Sequence, residues 1–208
     1  GCDALDEYVI GMDEVGRGSL AGPVVVAAVL INGKLRTVNG PTKLLRDSKQ
    51  LTAKQREEWF SYLTTHNQIV YSLAWVYPRT IERINIARAA NLAALRAFRR
   101  LSTHYSLLST YCRVYLDGGL YLGNSKEQRT KRKGHTVRTV VRGDQKYAAI
   151  KIASIIAKVS RDRAMARMAR KYPKYGFEIH KGYGTKLHRR VLRKHGLSRA
   201  HRLTFVHE

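Results

Sequence analysis

Apolar residues recur along this chain at two periods, one of strands and one of helices. Tyr8 to Met12 and Val24 to Ile31 are rich in β-branched residues and flank a glycine-rich stretch, Gly16 to Gly22, which predicts two strands joined by a turn. Thr52 opens a helix with the capping box Thr52-x-x-Gln55, and Trp59 and Leu63 fall on one face of it. Gln68 to Val76 returns as a strand. From Thr80 to Leu101 the positions of Ile84, Ala87, Leu95 and Phe98 predict an amphipathic helix. Arg113 to Leu116 and Thr136 to Val141 are further strands, each followed by a carboxylate, Asp117 and Asp144. A long helix is expected from about Gln145 to Tyr172, stopped by Pro173, and a last basic helix from Thr185 to His195, closed by Gly196. Strands come mostly first and helices after, an α/β or α+β arrangement in one domain over residues 1–208.

Composition adds a partner to this outline. The chain has 208 residues, 44% of them hydrophobic and 26% charged, enough to bury a core of its own without disulfides. Lys and Arg number 39 against 15 Asp and Glu, a net charge of +24, which points to a polyanion, nucleic acid first and an anionic membrane surface second. The segment between Asn124 and His135 carries Lys126, Arg129, Lys131, Arg132 and Lys133 against Glu127 and is expected to be a mobile basic loop. Arg96, Arg99, Arg100, Arg189, Arg190, Arg193 and Lys194 form solvated basic faces. Two cysteines far apart, Cys2 and Cys112, exclude a disulfide framework or zinc knuckle and fit a reducing cytoplasmic setting. The longest apolar stretch, Pro23 to Ile31, is too short to span a bilayer. The spacing of His188 and His195 does not suit a shared zinc ion.

In so basic a chain the placement of acids carries information. Asp13 and Glu14 sit between a hydrophobic strand and a glycine turn; capping of that turn through backbone amides is one reading, a site the other. Asp117 and Asp144 repeat the arrangement. If the strands are neighbours, their acidic ends converge on one sheet edge and repel one another unless a hard cation neutralises them. Oxygen ligands without cysteine suit Mg²⁺ or Mn²⁺, and several carboxylates holding two such ions suit in-line phosphodiester cleavage.

The residues around these acids are more specific still. Gly11-Met12-Asp13-Glu14-Val15-Gly16-Arg17-Gly18-Ser19-Leu20-Ala21-Gly22-Pro23 closely resembles the opening motif of the ribonuclease HII family, the type 2 ribonucleases H. Further matches follow in order: Asp47 to Leu51, Asn85-Ile86, Leu116-Asp117-Gly118, Val141 to Asp144, Ala153 to Asp162, and Tyr175-Gly176-Phe177 through His180 to Thr185. The resemblance covers about residues 9–205. It implies a ribonuclease H-like fold, a five-stranded mixed sheet flanked by helices, with a helical C-terminal part over about 173–208 completing the substrate groove.

The implied activity is endonucleolytic cleavage of the RNA strand in RNA/DNA hybrids and incision 5′ of single ribonucleotides embedded in duplex DNA, leaving a 3′-hydroxyl and a 5′-phosphate. The family's metal-binding acids map to Asp13, Glu14, Asp117 and Asp144, which would hold two Mg²⁺ or Mn²⁺ ions. Gly16-Arg17-Gly18 resembles the loop that meets the 2′-hydroxyl, Tyr183 the tyrosine that packs on the junction sugar, and Lys49 and Asn85 contacts to the DNA-strand phosphates. For Asn85 the alternative is helix capping. Asp162, though inside a motif, falls within the long helix, where structural pairing is the better reading. A monomer acting on nucleic acid, away from membranes, is expected. The competing functions are a type 3 ribonuclease H and a non-catalytic basic RNA-binding protein.

Overall fold

The computed structural model describes residues 8–35, 38–41, 45, 50–104, 112–122, 129–132 and 135–206. The first two strands are β1 (Tyr8–Val15) and β2 (Val24–Asn32), antiparallel with Asp13 opposite Ala27. The capping box appears as expected at the start of α1 (Ala53–Thr65), and β3 (Val70–Val76) pairs antiparallel with β2. Then come α2 (Pro78–Ile84), α3 (Ile86–His104) and β4 (Cys112–Asp117), which runs parallel to β1. β5 (Arg129–Arg132) and β6 (His135–Val140) form an antiparallel pair, with β6 parallel to β4. The chain continues through α4 (Gly143–Lys146), α5 (Ala148–Lys171), α6 (Phe177–His180), α7 (Lys186–His195) and a 3₁₀ turn at Leu203–Phe205.

The sheet order is β3-β2-β1-β4-β6-β5, with helices on both faces. The five expected strands make a ribonuclease H-like mixed sheet, and the short β5 adds an edge to it. β5 corrects the loop reading of the basic segment over Arg129 to Arg132, whose backbone pairs antiparallel with β6 and so has its hydrogen bonds met in a ladder. Its other basic residues, Lys126 and Lys133, lie outside the described residues.

β2 is buried on both sides, so its sequence is apolar without a break. Val24, Val26, Ala28 and Leu30 pack on α3, whose Ala89, Ala90, Ala93, Ala94 and Ala97 let the helix approach the sheet closely. Ala27, Val29 and Ile31 face α1 and α5. Gly11 allows α5 to start directly over β1: a Cβ there would stand 2.3 Å from the Ala149 carbonyl carbon. The expected Thr80–Leu101 helix is two helices, broken at Asn85, which adopts φ 66° and caps α3. The long helix likewise begins later than expected: Arg142 turns left-handed at φ 55°, a single turn of helix carries Asp144, and α5 starts after Tyr147.

This topology positions the site. β1, β4 and β6 are parallel neighbours, so their C-terminal ends share one sheet edge. The C-terminal segment packs through Tyr175, Phe177 and Ala200 onto Met165 and Ala169 of α5 and Ala21 of the β1–β2 turn, beside that edge.

Candidate active site

Asp13, Glu14, Asp117 and Asp144 line one cavity of about 310 Å³, together with Arg56, Ser154, Lys158 and Tyr183. Asp13 ends the buried part of β1; its Oδ1 accepts the Glu14 N–H at 2.8 Å, and the Ser154 hydroxyl of α5 bonds the same carboxyl. Turn capping and site formation are thus served by one side chain. Asp117, the last residue of β4, accepts the Gly143 N–H on Oδ1 at 2.6 Å, which ties β4 to the α4 turn bearing Asp144. Asp144 is therefore delivered by that turn rather than by the strand end itself.

Glu14 is divided between two conditions. Its Oε1 accepts from Arg17 Nη1 at 3.1 Å, whereas Oε2 is buried without a hydrogen-bond partner. Burial pushes the Asp13 carboxyl well above the usual carboxylate range, and the nearby Glu14 and Asp117 charges push it further. Burial also raises Glu14, against the pull of Arg17. Both acids resist ionisation because burial outweighs the favourable contacts they have, the Arg17 charge at Glu14 included.

These observations bear on a metal. All four acids offer hard oxygen donors, one buried carboxylate oxygen lacks a partner, and mutual repulsion is what a divalent cation would relieve. The residues fit Mg²⁺ or Mn²⁺. Among the described residues, however, no three Asp, Glu, His or Cys side chains already stand as a ready-made metal-holding group. Glu14 and Asp117 are partly engaged by Arg17 and by the Gly143 amide, and an entering ion would compete with these bonds.

The Gly16-Arg17-Gly18 turn is fixed from below. Gly16 has φ 85°, and a Cβ on it would lie 2.2 Å from Nε of Arg161. Arg202 donates to the carbonyls of Gly16 at 2.6 Å and Arg17 at 2.9 Å, and Arg161 reaches Pro23, Ala21 and the Ser19 hydroxyl. Among the described residues nothing crowds the Cβ position of Gly18, which is exposed.

Tyr183 stands over Arg161, whose Cζ is 5.3 Å from the ring centroid, with Lys158 Nζ at 5.6 Å. Asn85 does not line the cavity; its Oδ1 accepts the Arg88 N–H at 3.0 Å as the cap of α3. Lys49 lies outside the described residues. Asp162 also stays out of the cavity, pairing at 3.0 Å with Lys158 one turn earlier on α5.

Sequence reasoning passed over Ser154, Lys158 and Arg56 in the cavity wall, and Arg161 and Arg202 beneath the turn. Ser154, Lys158 and Arg161 lie in the matched stretch Ala153 to Asp162, where only Asp162 drew attention. No signal separates Arg56 or Arg202 from the other basic residues of so cationic a chain.

Comparison with known proteins decides the family. The model of the family described as Ribonuclease HII matches residues 10–208. The chain belongs to the ribonuclease HII family. It is 40% identical over 199 residues to the ribonuclease HII of Caldicellulosiruptor bescii, covering 96% of this chain and 86% of that protein. To the ribonuclease HII of Pelagibacter ubique it is 38% identical, with 96% of each chain covered. Among solved structures, ribonuclease H2 of Pyrococcus horikoshii OT3 is similar with TM-score 0.61 and 26% identity over 95% of this chain and 93% of that one. Bst-RNase HIII in complex with Mn²⁺ shares the fold at TM-score 0.71 and 18% identity, covering 98% of this chain and 68% of that one. The ribonuclease HII of Archaeoglobus fulgidus, solved in a complex with PCNA, shares it at TM-score 0.69 and 23% identity over 97% and 96% of the two chains. As a member of this family the protein is a ribonuclease H enzyme, a hydrolase of the nuclease class. Among the described residues no helix is long and apolar enough to cross a membrane.

Proposed function

We propose that this ribonuclease HII hydrolyses the RNA strand of RNA/DNA hybrids and incises 5′ of single ribonucleotides embedded in duplex DNA, leaving a 3′-hydroxyl and a 5′-phosphate. The observation that carries the proposal is the sharing of one cavity by Asp13, Glu14, Asp117, Asp144 and Tyr183. The four acids would hold two Mg²⁺ or Mn²⁺ ions. When bound, such ions neutralise charge at the scissile phosphate and supply an activated water.

The protein's own residues do the rest. The basic exterior gathers the duplex, at a net charge of +24, without reading its sequence. Open space at Gly18 admits the sugar edge to the Gly16-Arg17-Gly18 backbone, and the Tyr183 ring offers a flat surface for the ribose beside the acids. The 2′-hydroxyl is the group by which a protein distinguishes RNA from DNA, so contacts from this turn and this ring would set the choice of bond. Lys49 and Asn85 are carried as DNA-strand contacts, with Asn85 presenting to solvent whatever its capping role leaves available. The chain is proposed to act as a monomer.

The test is cleavage of a duplex containing one ribonucleotide, in Mg²⁺ and in Mn²⁺, by wild type, Asp13→Asn and Tyr183→Ala. Wild type is expected to cut 5′ of the ribonucleotide. Asp13→Asn should bind with the same salt dependence but lose turnover. Tyr183→Ala should lower turnover at the junction more than binding. Undiminished cleavage by Asp13→Asn would remove the site from the reaction.

A further inference from the structure

Behind Tyr183 lies a cluster of imidazoles that the proposed reaction does not use. His180 on α6, His188 on α7 and His201, which bridges to Ala21, are buried at 6%, 0% and 3% exposure. The rings of His180 and His188 stack with centroids 3.9 Å apart and planes within 10°.

With each ring neutral, their shortest hydrogen bonds fit one arrangement of protons. A carbonyl can only accept, so His180 carries its proton on Nε2, 2.7 Å from the Tyr175 oxygen, and its bare Nδ1 accepts the Gly182 N–H at 3.1 Å. By the same reasoning His188 is protonated on Nδ1, 3.0 Å from the Tyr183 carbonyl oxygen. Its Nε2 is then a lone pair facing Nε2 of His201 at 3.0 Å, so His201 must donate there. That leaves Nδ1 of His201 to accept the Ser198 N–H at 2.9 Å; the Ser198 carbonyl oxygen is also within 3.3 Å, but a neutral His201 that donated there would set two bare Nε2 atoms against each other across 3.0 Å. Each ring holds one proton, and each proton has one place.

The relay ends on the backbone of Tyr183. Its C=O accepts from His188, and its N–H donates to the carbonyl of His180 at 2.9 Å. The preceding residue, Gly182, accepts the Leu20 N–H on its carbonyl at 2.8 Å, which links this backbone to the segment following the Gly16-Arg17-Gly18 turn. The histidine chain therefore holds the Tyr183 ring and the glycine turn in one frame. The rings pack edge-on and tilted against Phe177 and Tyr175.

We infer that His188, locked as its Nδ1–H tautomer by His201, is a positioning residue that holds Tyr183 at the ribose and thereby sets the preference for a ribonucleotide–DNA junction over a continuous hybrid. The inference rests on the proposed function and deepens it. Junction cleavage depends on one sugar being met by one ring, whereas a hybrid offers a 2′-hydroxyl at every step, so loosening Tyr183 acts on the first substrate more than on the second.

The experiment has two arms on the full chain. Imidazole ¹⁵N NMR at pH 7 is expected to show His188 protonated on Nδ1 and His180 and His201 on Nε2. The second arm compares kcat/KM on a one-ribonucleotide duplex and on an RNA/DNA hybrid. His201→Leu, which cannot donate to His188, should lose about tenfold on the junction and less than about twofold on the hybrid, the scale of one missing buried hydrogen bond. His201→Gln keeps an N–H at the position of Nε2 and should recover most of the junction activity. Equal losses on both substrates, or no recovery by glutamine, overturn the positioning role. If His201→Leu does not fold, the wild-type tautomer decides: His188 protonated on Nε2 overturns the inference and Nδ1 supports it. Wild type that cuts the hybrid but not the junction overturns the functional reading itself, a different failure from equal losses in the variants.

Discussion

The acid cavity and the lobe beneath it, formed by Arg161, Arg202 and the C-terminal segment under the Gly16-Arg17-Gly18 turn, both bury ionisable groups and treat them in opposite ways. In the cavity, Glu14 Oε2 has no partner and Asp13 is driven towards its neutral form by burial and by its neighbours. In the lobe, Arg161 and Arg202 are fully buried, yet among the described residues they meet no carboxylate. Their donors are taken up by backbone carbonyls and one hydroxyl instead. Burial and mutual repulsion pull Arg202 down to about 9, which leaves it charged at neutral pH. An unsatisfied buried charge is a place kept for something else; a saturated one fixes a shape. The enzyme keeps the first above the second, so that what binds at the acids meets a turn and a tyrosine that do not shift.

The contrast breaks most visibly at Arg202. Replacing it by Met strips the donors from the carbonyls of Gly16, Arg17 and Gly22. The expected loss is about 3–5 kcal/mol of folding stability, read from denaturant midpoints. Lys in its place should recover only part, because a point charge cannot serve three carbonyls in a planar fork. A loss below about 1 kcal/mol would show the lobe to be no more committed than an ordinary surface.

Acid probes the same lobe through His188, which burial lowers from 6.5 to about 4, with His180 and His201 adding to the effect. The folded state prefers the neutral ring, so its contribution is complete above pH 6.5 and is lost as pH falls towards 4. That window is worth about 3 kcal/mol. The titratable groups facing it, His180 and His201, are lowered as well and fall in the same direction. Asp13 and Glu14 run oppositely, since their raised carboxyls are relieved by acid. The measurement is therefore a difference: wild type minus His188→Asn, unfolded in urea at pH 7.5 and at pH 4.5. A pH-independent difference would remove the neutral-only network.

Much of the cavity was legible in sequence because its logic is compositional. Acids are few in this chain, and Asp13, Glu14 and Asp117 each end an apolar β-branched run, so strand period and charge point to the same residues. The lobe was legible only as helices. Burial of Arg161 or Arg202 cannot be read from residue type, because the same guanidinium serves as solvated charge elsewhere on the chain; what singles them out is the carbonyls that converge on them, most from residues 138 to 186 positions away. The histidines suffered similarly: zinc spacing was the question put to His188 and His195, whereas the partner of His188 is His201, across the Gly196 turn. Capping was one of the two readings of Asn85 and is what its side chain does, but the break it makes in the helix was not drawn from it; the left-handed Arg142 escaped because it is not glycine, the residue for which positive φ is the default reading.

On the cavity side, Asp13→Asn should stabilise the metal-free protein, by about 1–2 kcal/mol, since it removes a carboxylate that burial and two neighbours disfavour. Millimolar Mn²⁺ should raise the Tm of wild type and leave that of the variant nearly unchanged. A variant less stable than wild type without metal would mean that the bonds from Ser154 and the Glu14 amide outweigh the repulsion, and the cavity would then resemble the lobe.

The smallest effect belongs to the acid that lies between the two regions and joins neither. Asp162 pairs with Lys158 one turn earlier on α5, both side chains partly exposed at 21% and 28%. The lysine precedes the carboxylate, the weaker orientation for such a pair on a helix. Asp162→Asn should therefore cost no more than about 0.5 kcal/mol. The change frees Lys158, which lines the cavity and sits beside the Tyr183 ring, so any shift in substrate affinity should be a modest tightening that vanishes with salt. Turnover on the one-ribonucleotide duplex should stay within about twofold of wild type, against the loss of orders of magnitude that removal of a metal-holding carboxylate entails. A collapse of turnover in Asp162→Asn, with Mn²⁺-dependent stabilisation lost as well, would move this residue into the cavity and dissolve the boundary between a charge kept for a ligand and a charge spent on the scaffold.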